Sequence, residues 1–492
     1  MGPLAKQTVQ NTVLTYLGLL LGFLNIAILY PRVLPDDQFG LTRLLVSVAT
    51  MAGAFAQFGL DNTIVRYFPY FRDVARAHRG LLTLVSGVAL AGALLAMLVL
   101  GLFHPWISEV IGDKNGLYDE FGLLALPLVL AEVFFLVLRG YSRSLHRTVP
   151  PTFLREFLLR ALQTVLIGAQ AVLHLPFGTF MVLFTATFLI CTLGVVVDLW
   201  RQGERLVPTA SVRVPKRLFQ SMTRYSAYTV AASIASVVLG SLDQVMIGAL
   251  LGREALAQVG YYAVAFNFGA VVSAPMRALG QLAIPMVADA WKRRDMPAIQ
   301  RMYERTVSTQ FTIGGFLFLM VWVNLGDLFT YLRPAFGAAY GTAIIISVSS
   351  LLNMAVGLNA GIITMSRNFR FDSASSLLLL VCNAVLNWFL IQRMGIVGAA
   401  WSTLISLTLV LGVRVWYLWS RFRLWPYTLR TLWVPLLVIV VGVGVTQVHV
   451  SDAAWLNIAV RSAIIALVYG PLVVFLRLAP EVTDRVRALF AR

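Results

Sequence analysis

Apolar runs of around 20 residues recur from one end of this chain to the other, the length at which an α-helix crosses the hydrocarbon core of a bilayer. Lipid offers no water to backbone N–H and C=O groups, so such runs satisfy them internally as helix. Only 12% of the residues are charged and 59% are hydrophobic, whereas soluble proteins carry about 25% charged residues. The reading is an all-α membrane protein of about 14 transmembrane helices. Their expected limits are 8–33, 39–68, 80–103, 120–141, 151–174, 178–200, 219–251, 256–288, 304–325, 338–365, 372–391, 395–419, 431–448 and 456–478. The opening MGPLAKQTVQNTVLTYLGLLLG has the weak charge and apolar run of a signal peptide. The run continues past Ala27 to Tyr30 without a small-residue cleavage site, so it reads as a retained first span. Cys191 and Cys382 both fall inside apolar segments and read as small buried residues rather than a disulfide.

The loops set the orientation. One set is basic, with Arg66, Arg72, Arg76 and Arg79, then Arg139, Arg143 and Arg147, then Arg201, Arg205, Arg213, Lys216 and Arg217. It continues with Lys292, Arg293 and Arg294, Arg367 and Arg370, Arg421, Arg423 and Arg430, and the tail Arg485, Arg487 and Arg492. The alternate loops hold acids such as Asp36, Asp37, Glu109, Asp113, Asp119 and Glu120. Cytoplasmic loops retain the positive charge, so both termini are expected inside. The net charge of +17 is then an orientation signal. It does not mark nucleic-acid binding, for which no basic domain interleaved with aromatics is present.

A second constraint lies between Asp243 and Gly280, where two apolar segments meet at a short polar hairpin. Asp243 and Gln244 interrupt the first segment, and Asn267 and Arg277 the second. An intramembrane charge is penalised by several kcal/mol, roughly, so it faces protein or water. A weaker copy appears earlier: Asn25, the PDDQFG hairpin with Gly40 in the place of Gly260, then Arg43 and Gln57. The chain reads as two pseudo-symmetric six-helix lobes enclosing a polar site, a plan that recurs in transporters. The first lobe is 1–200 and the second 219–420. The segment 201–218 is a cytoplasmic linker, and 421–492 a C-terminal helix pair and tail. Enzymatic readings find little support. There is no G-x-x-x-x-G-K-[ST] phosphate loop. The five histidines, His78, His104, His146, His174 and His449, lack metal-ligand spacing, and the outer loops are short. No cofactor is expected.

The motif Asp243-x-x-x-Ile247-Gly248-x-x-x-Gly252, followed by Val259-Gly260-x-Tyr262-x-x-Ala265, resembles the central signature of bacterial polysaccharide (O-antigen type) flippases. The YPRVLPDDQFGL hairpin, GLDNTIVRYFP and MGIVGAAWSTLIS at 394–406 are similar to further segments of that family. The family belongs to the multidrug/oligosaccharidyl-lipid/polysaccharide exporter superfamily, together with lipid II flippases and multidrug-and-toxin extruders. The resemblance implies a carrier, not an enzyme. Its substrate would be a polyprenyl-pyrophosphate-linked oligosaccharide, moved across the cytoplasmic membrane by alternating access for cell-surface polysaccharide synthesis. Membrane lipids would surround it, and a polysaccharide polymerase and glycosyltransferases are candidate partners. A pyrophosphate headgroup needs a hydrated, cationic path, and arginine suits that task.

Arg277, two residues after Pro275 on span 8, is the first candidate cation, with structural pairing to Asp243 as the alternative. Related lipid II flippases carry cavity-lining arginines, one of them on span 8. Arg43 is its pseudo-symmetric counterpart, unless it snorkels outward. Asp243 either pairs with Arg277, binds a coupling H⁺ or Na⁺, or anchors its lobe. Glu132 is the most interior carboxylate of the first lobe, a candidate for ion coupling, with a structural contact through water to Arg139 on the same helix face as the alternative. Glu156 and Arg160 are spaced for an i, i+4 pair, with Arg160 also a substrate candidate. Asn267, Asn353, Asn359, Asn383 and Asn387 either bond sugar hydroxyls or join helices. Gly18-x-x-x-Gly22 marks close helix packing. Trp416, Tyr417, Trp419 and Trp425 read as an interfacial belt, with a sugar platform as the alternative. Two other functions stay open: a cation-coupled multidrug or metabolite exporter of the same superfamily, and a membrane-embedded enzyme or scaffold of a polysaccharide pathway.

Overall fold

The structure, a computed structural model, describes residues 3–73, 78, 80–112, 115–204 and 215–479. Most of the expected 201–218 linker and the tail beyond 479 lie outside the described residues. Every regular element described is helical. Among the described residues, twelve helices are long and apolar enough to cross a membrane. The two further expected spans, 219–251 and 431–448, are the helices Lys216–Leu250 and Trp433–Thr446. This is a multi-pass membrane protein, and the exposed Leu94, Leu98 and Leu102 on one long helix are what a lipid-facing surface requires.

The chain divides into two compact units, Met1–Gly260 and Tyr261–Arg492. In the first, α1 (Pro3–Phe23) passes through a π-helical turn, Leu24–Leu29, into Tyr30–Val33. Then follow α2 (Asp36–Ala56), α3 (Leu60–Phe71), α4 (Leu81–Ile111) and α5 (Ala125–Ser144). A second π-helical turn, Phe153–Leu158, leads into α6 (Leu159–Leu173), and α7 (Phe177–Arg201) and α8 (Lys216–Leu250) complete the series. The unit boundary falls inside α9 (Ala255–Arg293). The second unit continues with α10 (Met296–Thr330), α11 (Tyr340–Ala355), α12 (Asn359–Met365), α13 (Phe369–Met394) and α14 (Ile396–Phe422). It ends with α15 (Trp433–Thr446) and α16 (Ala454–Phe475).

The second expected span is not one helix. Between α2 and α3 the backbone turns left-handed at Phe58 (φ +50°) and Gly59 (φ +69°). A residue with a β-carbon pays about 1–2 kcal/mol for that conformation. The broken ladder frees the Phe58 carbonyl, which accepts the Ser226 hydroxyl of α8 at 2.5 Å. A non-helical backbone group inside a membrane needs such a partner.

α2 and α3 run antiparallel to α8 over their whole length. Near one end the Tyr67 hydroxyl donates to the Ser221 carbonyl (3.1 Å). Midway the Ser47 hydroxyl donates to Gln244 Oε1 (2.8 Å), and Gly248 faces Leu44. At the other end Gly40 lies so close to Leu256 that a Cβ would overlap its carbonyl oxygen, and a Cβ on Gly260 would be 2.9 Å from Phe39. The corresponding glycines of the two hairpins therefore meet in space. Small residues are what let helix backbones approach this closely.

In the second unit, Tyr303, Val307, Ile362, Ile363 and Leu418 form a buried apolar cluster, fastened by Trp291 Nε1 donating to the Ile362 carbonyl (3.1 Å). The C-terminal helices pack on α10 through Tyr469, whose hydroxyl donates to the Thr312 carbonyl (2.9 Å). Arg461 adds an ion pair to Asp327 (2.6 Å).

Candidate transport site

Both π-helical turns of the first unit sit at polar residues. An extra residue per turn re-aims side chains, and such turns are frequent at functional sites. Asn25, in the first turn, is buried. Its amide donates to the Arg160 carbonyl (2.9 Å) and its Oδ1 accepts the Thr164 hydroxyl (2.8 Å). Glu156, in the second turn, pairs with Arg160 at 3.0 Å in the expected i, i+4 arrangement. The Arg160 side chain lies against Gly22, where a Cβ would be 2.9 Å from its Nε, and Gly18 faces the Glu156 carbonyl. The Gly18-x-x-x-Gly22 face accommodates this charged turn.

Glu132 on α5 is buried, but its partner is Arg155 (2.5 Å), not the expected Arg139. Seven residues of helix separate Glu132 and Arg139 by roughly 10 Å along the axis. Arg139 instead joins Arg143 on Asp61, at 3.0 and 2.7 Å. The Arg155 guanidinium sits over the rings of Phe135 (5.2 Å) and Phe188 (5.4 Å), an arrangement in which ring faces attract the cation.

Arg43 does not snorkel. It is 9% exposed, with its guanidinium near the rings of Tyr30 (5.4 Å), Phe39 (5.9 Å) and Phe184 (5.7 Å). Nε donates weakly to Thr42 Oγ1 (3.3 Å), and Nη2 has no hydrogen-bond partner. No carboxylate among the described residues pairs with it. Asp243 on α8 is also buried.

In the second unit Asn267 is half-buried and donates to the Ala263 carbonyl of its own helix (2.9 Å). Asn359 is buried, and its amide nitrogen has no partner among the described residues. Asn383 donates to Thr403 Oγ1 (3.2 Å), joining α13 to α14, and Asn387 donates to Asn383 Oδ1 within α13 (3.2 Å). The side chain of Arg277 lies outside the described residues. Two groupings were not anticipated from the sequence. One is Arg155 on Glu132. The other is Arg414, buried on α14, with Asp372 (3.0 Å), Ser375 (2.9 Å) and Ser376 (2.7 Å) on α13. A lone charge of each sign in two consecutive spans was the available signal for the second.

The family model described as "Polysaccharide biosynthesis protein" matches residues 4–291. The chain belongs to that family. It is 22% identical over 424 residues to an uncharacterized membrane protein of Methanocaldococcus jannaschii, covering 80% of each chain. Its fold is similar to that of a lipid II flippase, MurJ, in an inward closed conformation, with TM-score 0.73 over 95% of this chain and 99% of that one at 10% identity. An inward-facing multidrug resistance MATE family transporter of the MOP superfamily matches with TM-score 0.57 over 84% and 94% at 15% identity. Among proteins of the polysaccharide biosynthesis family, then, this one carries Arg43, Glu132, Arg155, Arg160, Asp243, Asn267 and Arg277 within the matched segment. Asn359 and the Asp372–Arg414 pair lie beyond it.

Proposed function

We propose that this polysaccharide biosynthesis protein is a flippase. It moves a polyprenyl-pyrophosphate-linked oligosaccharide from the inner to the outer face of the cytoplasmic membrane by alternating access, with both termini inside and no chemistry on the substrate. Family membership and the lipid II flippase fold support a carrier for a lipid-linked headgroup. The observation that carries the sign of that headgroup is Arg43. Arg155 and Arg160 are matched by Glu132 and Glu156, which leaves the first unit a buried guanidinium with no carboxylate among the described residues, suited to an anion. Arg277 is proposed as the second cation, with Arg160, Asn267 and Asn359 as further contacts. Asp243 and Glu132 serve coupling to H⁺ or Na⁺ or hold the fold. Polysaccharide polymerase and glycosyltransferases are the proposed partners.

The test is the sidedness of a fluorescent polyprenyl-pyrophosphate-oligosaccharide in proteoliposomes. Wild type should move it. Arg277→Ala and Arg43→Gln, purified as monodisperse protein, should each slow movement about tenfold to a hundredfold, the equivalent of one hydrogen bond to a charged group. Undiminished movement in Arg277→Ala would leave that residue a structural role. No movement of any glycan under H⁺ or Na⁺ gradients, with gradient-driven efflux of an organic cation instead, would replace the flippase by the exporter.

A further inference from the structure

One apolar groove of the second unit is independent of the transport reading. It opens between the C-terminal ends of α11 and α14 and the segment that follows α14, with a volume of about 800 Å³, within the range of roughly 300–1,000 Å³ typical of ligand pockets. Leu411, Gly412, Trp416, Trp419, Trp425 and Tyr427 are among its walls. Three features define what it could hold. First, the walls carry no charged side chain, and the Thr408 hydroxyl is committed to the Leu404 carbonyl (2.6 Å). Second, the groove is held open. A Cβ on Gly412 would meet nothing within 4 Å. Gln300 fixes the outer wall by bonding both backbone groups of Trp425, at 2.6 and 3.1 Å. Tyr417, by contrast, turns away to stack on Phe371. Third, exposed cations neighbour the walls along the chain. Arg421 and Arg423 end α14 and Arg430 follows, all exposed. The Arg423 guanidinium lies 6.0 Å from the Trp419 ring. None of the three is paired with a carboxylate among the described residues, and Glu304 accepts from Gln300.

We propose that this groove is a binding site for an anionic phospholipid of the surrounding leaflet, one acyl chain lying along Gly412 and the tryptophans and the headgroup held by Arg421, Arg423 and Arg430. Tryptophan at headgroup level is the usual position of that side chain in membrane proteins. Apolar contact alone gives no preference inside a bilayer, because lipid tails are as apolar as the groove. The selection comes from the arginines, each of which favours an anionic surface.

Native mass spectrometry of the full chain, exchanged into phosphatidylglycerol or phosphatidylcholine of the same acyl chains, tests this. Wild type should retain one phosphatidylglycerol with about tenfold or greater preference. The R421Q/R423Q/R430Q variant should bring that preference close to one. Gly412→Phe, whose Cβ would meet nothing within 4 Å, should lose the retained lipid. Equal retention of the two lipids by wild type, or undiminished phosphatidylglycerol in Gly412→Phe, overturns the proposal. So does displacement of phosphatidylglycerol by equimolar polyprenyl phosphate, which would assign the groove to a carrier tail. Where Gly412→Phe is not monodisperse, wild type with a photoactivatable-acyl phosphatidylglycerol decides. Adducts are expected on peptides containing Trp416, Trp419 or Trp425, and adducts found only elsewhere overturn the site.

Discussion

Gly40→Leu is expected to yield little folded protein, and Gly40→Ala to lower the apparent melting temperature in detergent by several degrees. The reason is the identity of the neighbour. A Cβ at Gly40 would overlap the carbonyl oxygen of Leu256, with the carbonyl carbon and Cα of the same residue close behind. Backbone cannot rotate away as a side chain does, so one of two packed helices must move. Overpacking of this kind costs about 1–3 kcal/mol and sometimes more. Gly248 provides the control, since its Cβ would meet only the Leu44 side chain at 2.9 Å, which can shift. Gly248→Ala should therefore be the milder change by a clear margin. Fluorescence-detected size-exclusion after heating ranks the three, and a Gly40→Leu protein as stable as wild type would mean that the helices do not approach as described.

Glu132→Ala is the second large effect. It would leave the half-buried Arg155 beside the Phe135 and Phe188 rings with its carboxylate removed. Breaking one side of a fully buried ion pair costs about 3–5 kcal/mol, and the partial exposure of Arg155 puts this one at or below the lower end, whereas replacing both sides by apolar residues is often close to neutral. The double variant Glu132→Leu/Arg155→Leu should accordingly recover most of the stability that Glu132→Ala loses. The same pair of proteins separates structure from coupling. If the pair only holds α5 to the π-helical turn, the stable double variant should transport under the same gradients as wild type. A stable double variant that no longer responds to H⁺ or Na⁺ would place Glu132 in the coupling path. Failure of the double variant to recover stability would contradict the description of the pair as mutually compensating.

The class of the fold and most spans were legible because the bilayer imposes one length and one polarity on every helix. The charges that interrupt spans were equally visible, but their partners were not. Glu132 shows why: along its own helix the candidate was Arg139, while the actual partner arrives from a turn 23 residues on. Arg43 shows the same limit in depth. Its place near the start of α2 suited snorkelling, and what keeps it inside is an enclosure drawn from separate elements, Tyr30, Phe39 and Phe184. The break at Phe58–Gly59 has Gly59 and the polar Gln57, Asp61 and Asn62 around it, but the apolar stretches on either side run on into one span-length segment. The equivalence of Gly40 and Gly260 was readable as a repeat; that they touch is a property of packing.

The lone guanidinium of Arg43 also exposes α2 to the electric field of an energised membrane. Arg155 and Arg160 move with their carboxylates as neutral pairs, so displacing them does little electrical work. Arg43 has no such companion among the described residues. Carrying one elementary charge through the full field is worth about 2.3 kcal/mol per 100 mV, so a shift of α2 through a tenth of that field is worth about 0.2 kcal/mol. Any step of the cycle that tilts or slides this helix along the membrane normal is then biased in one direction by membrane voltage, and the opposite step is opposed by the same amount.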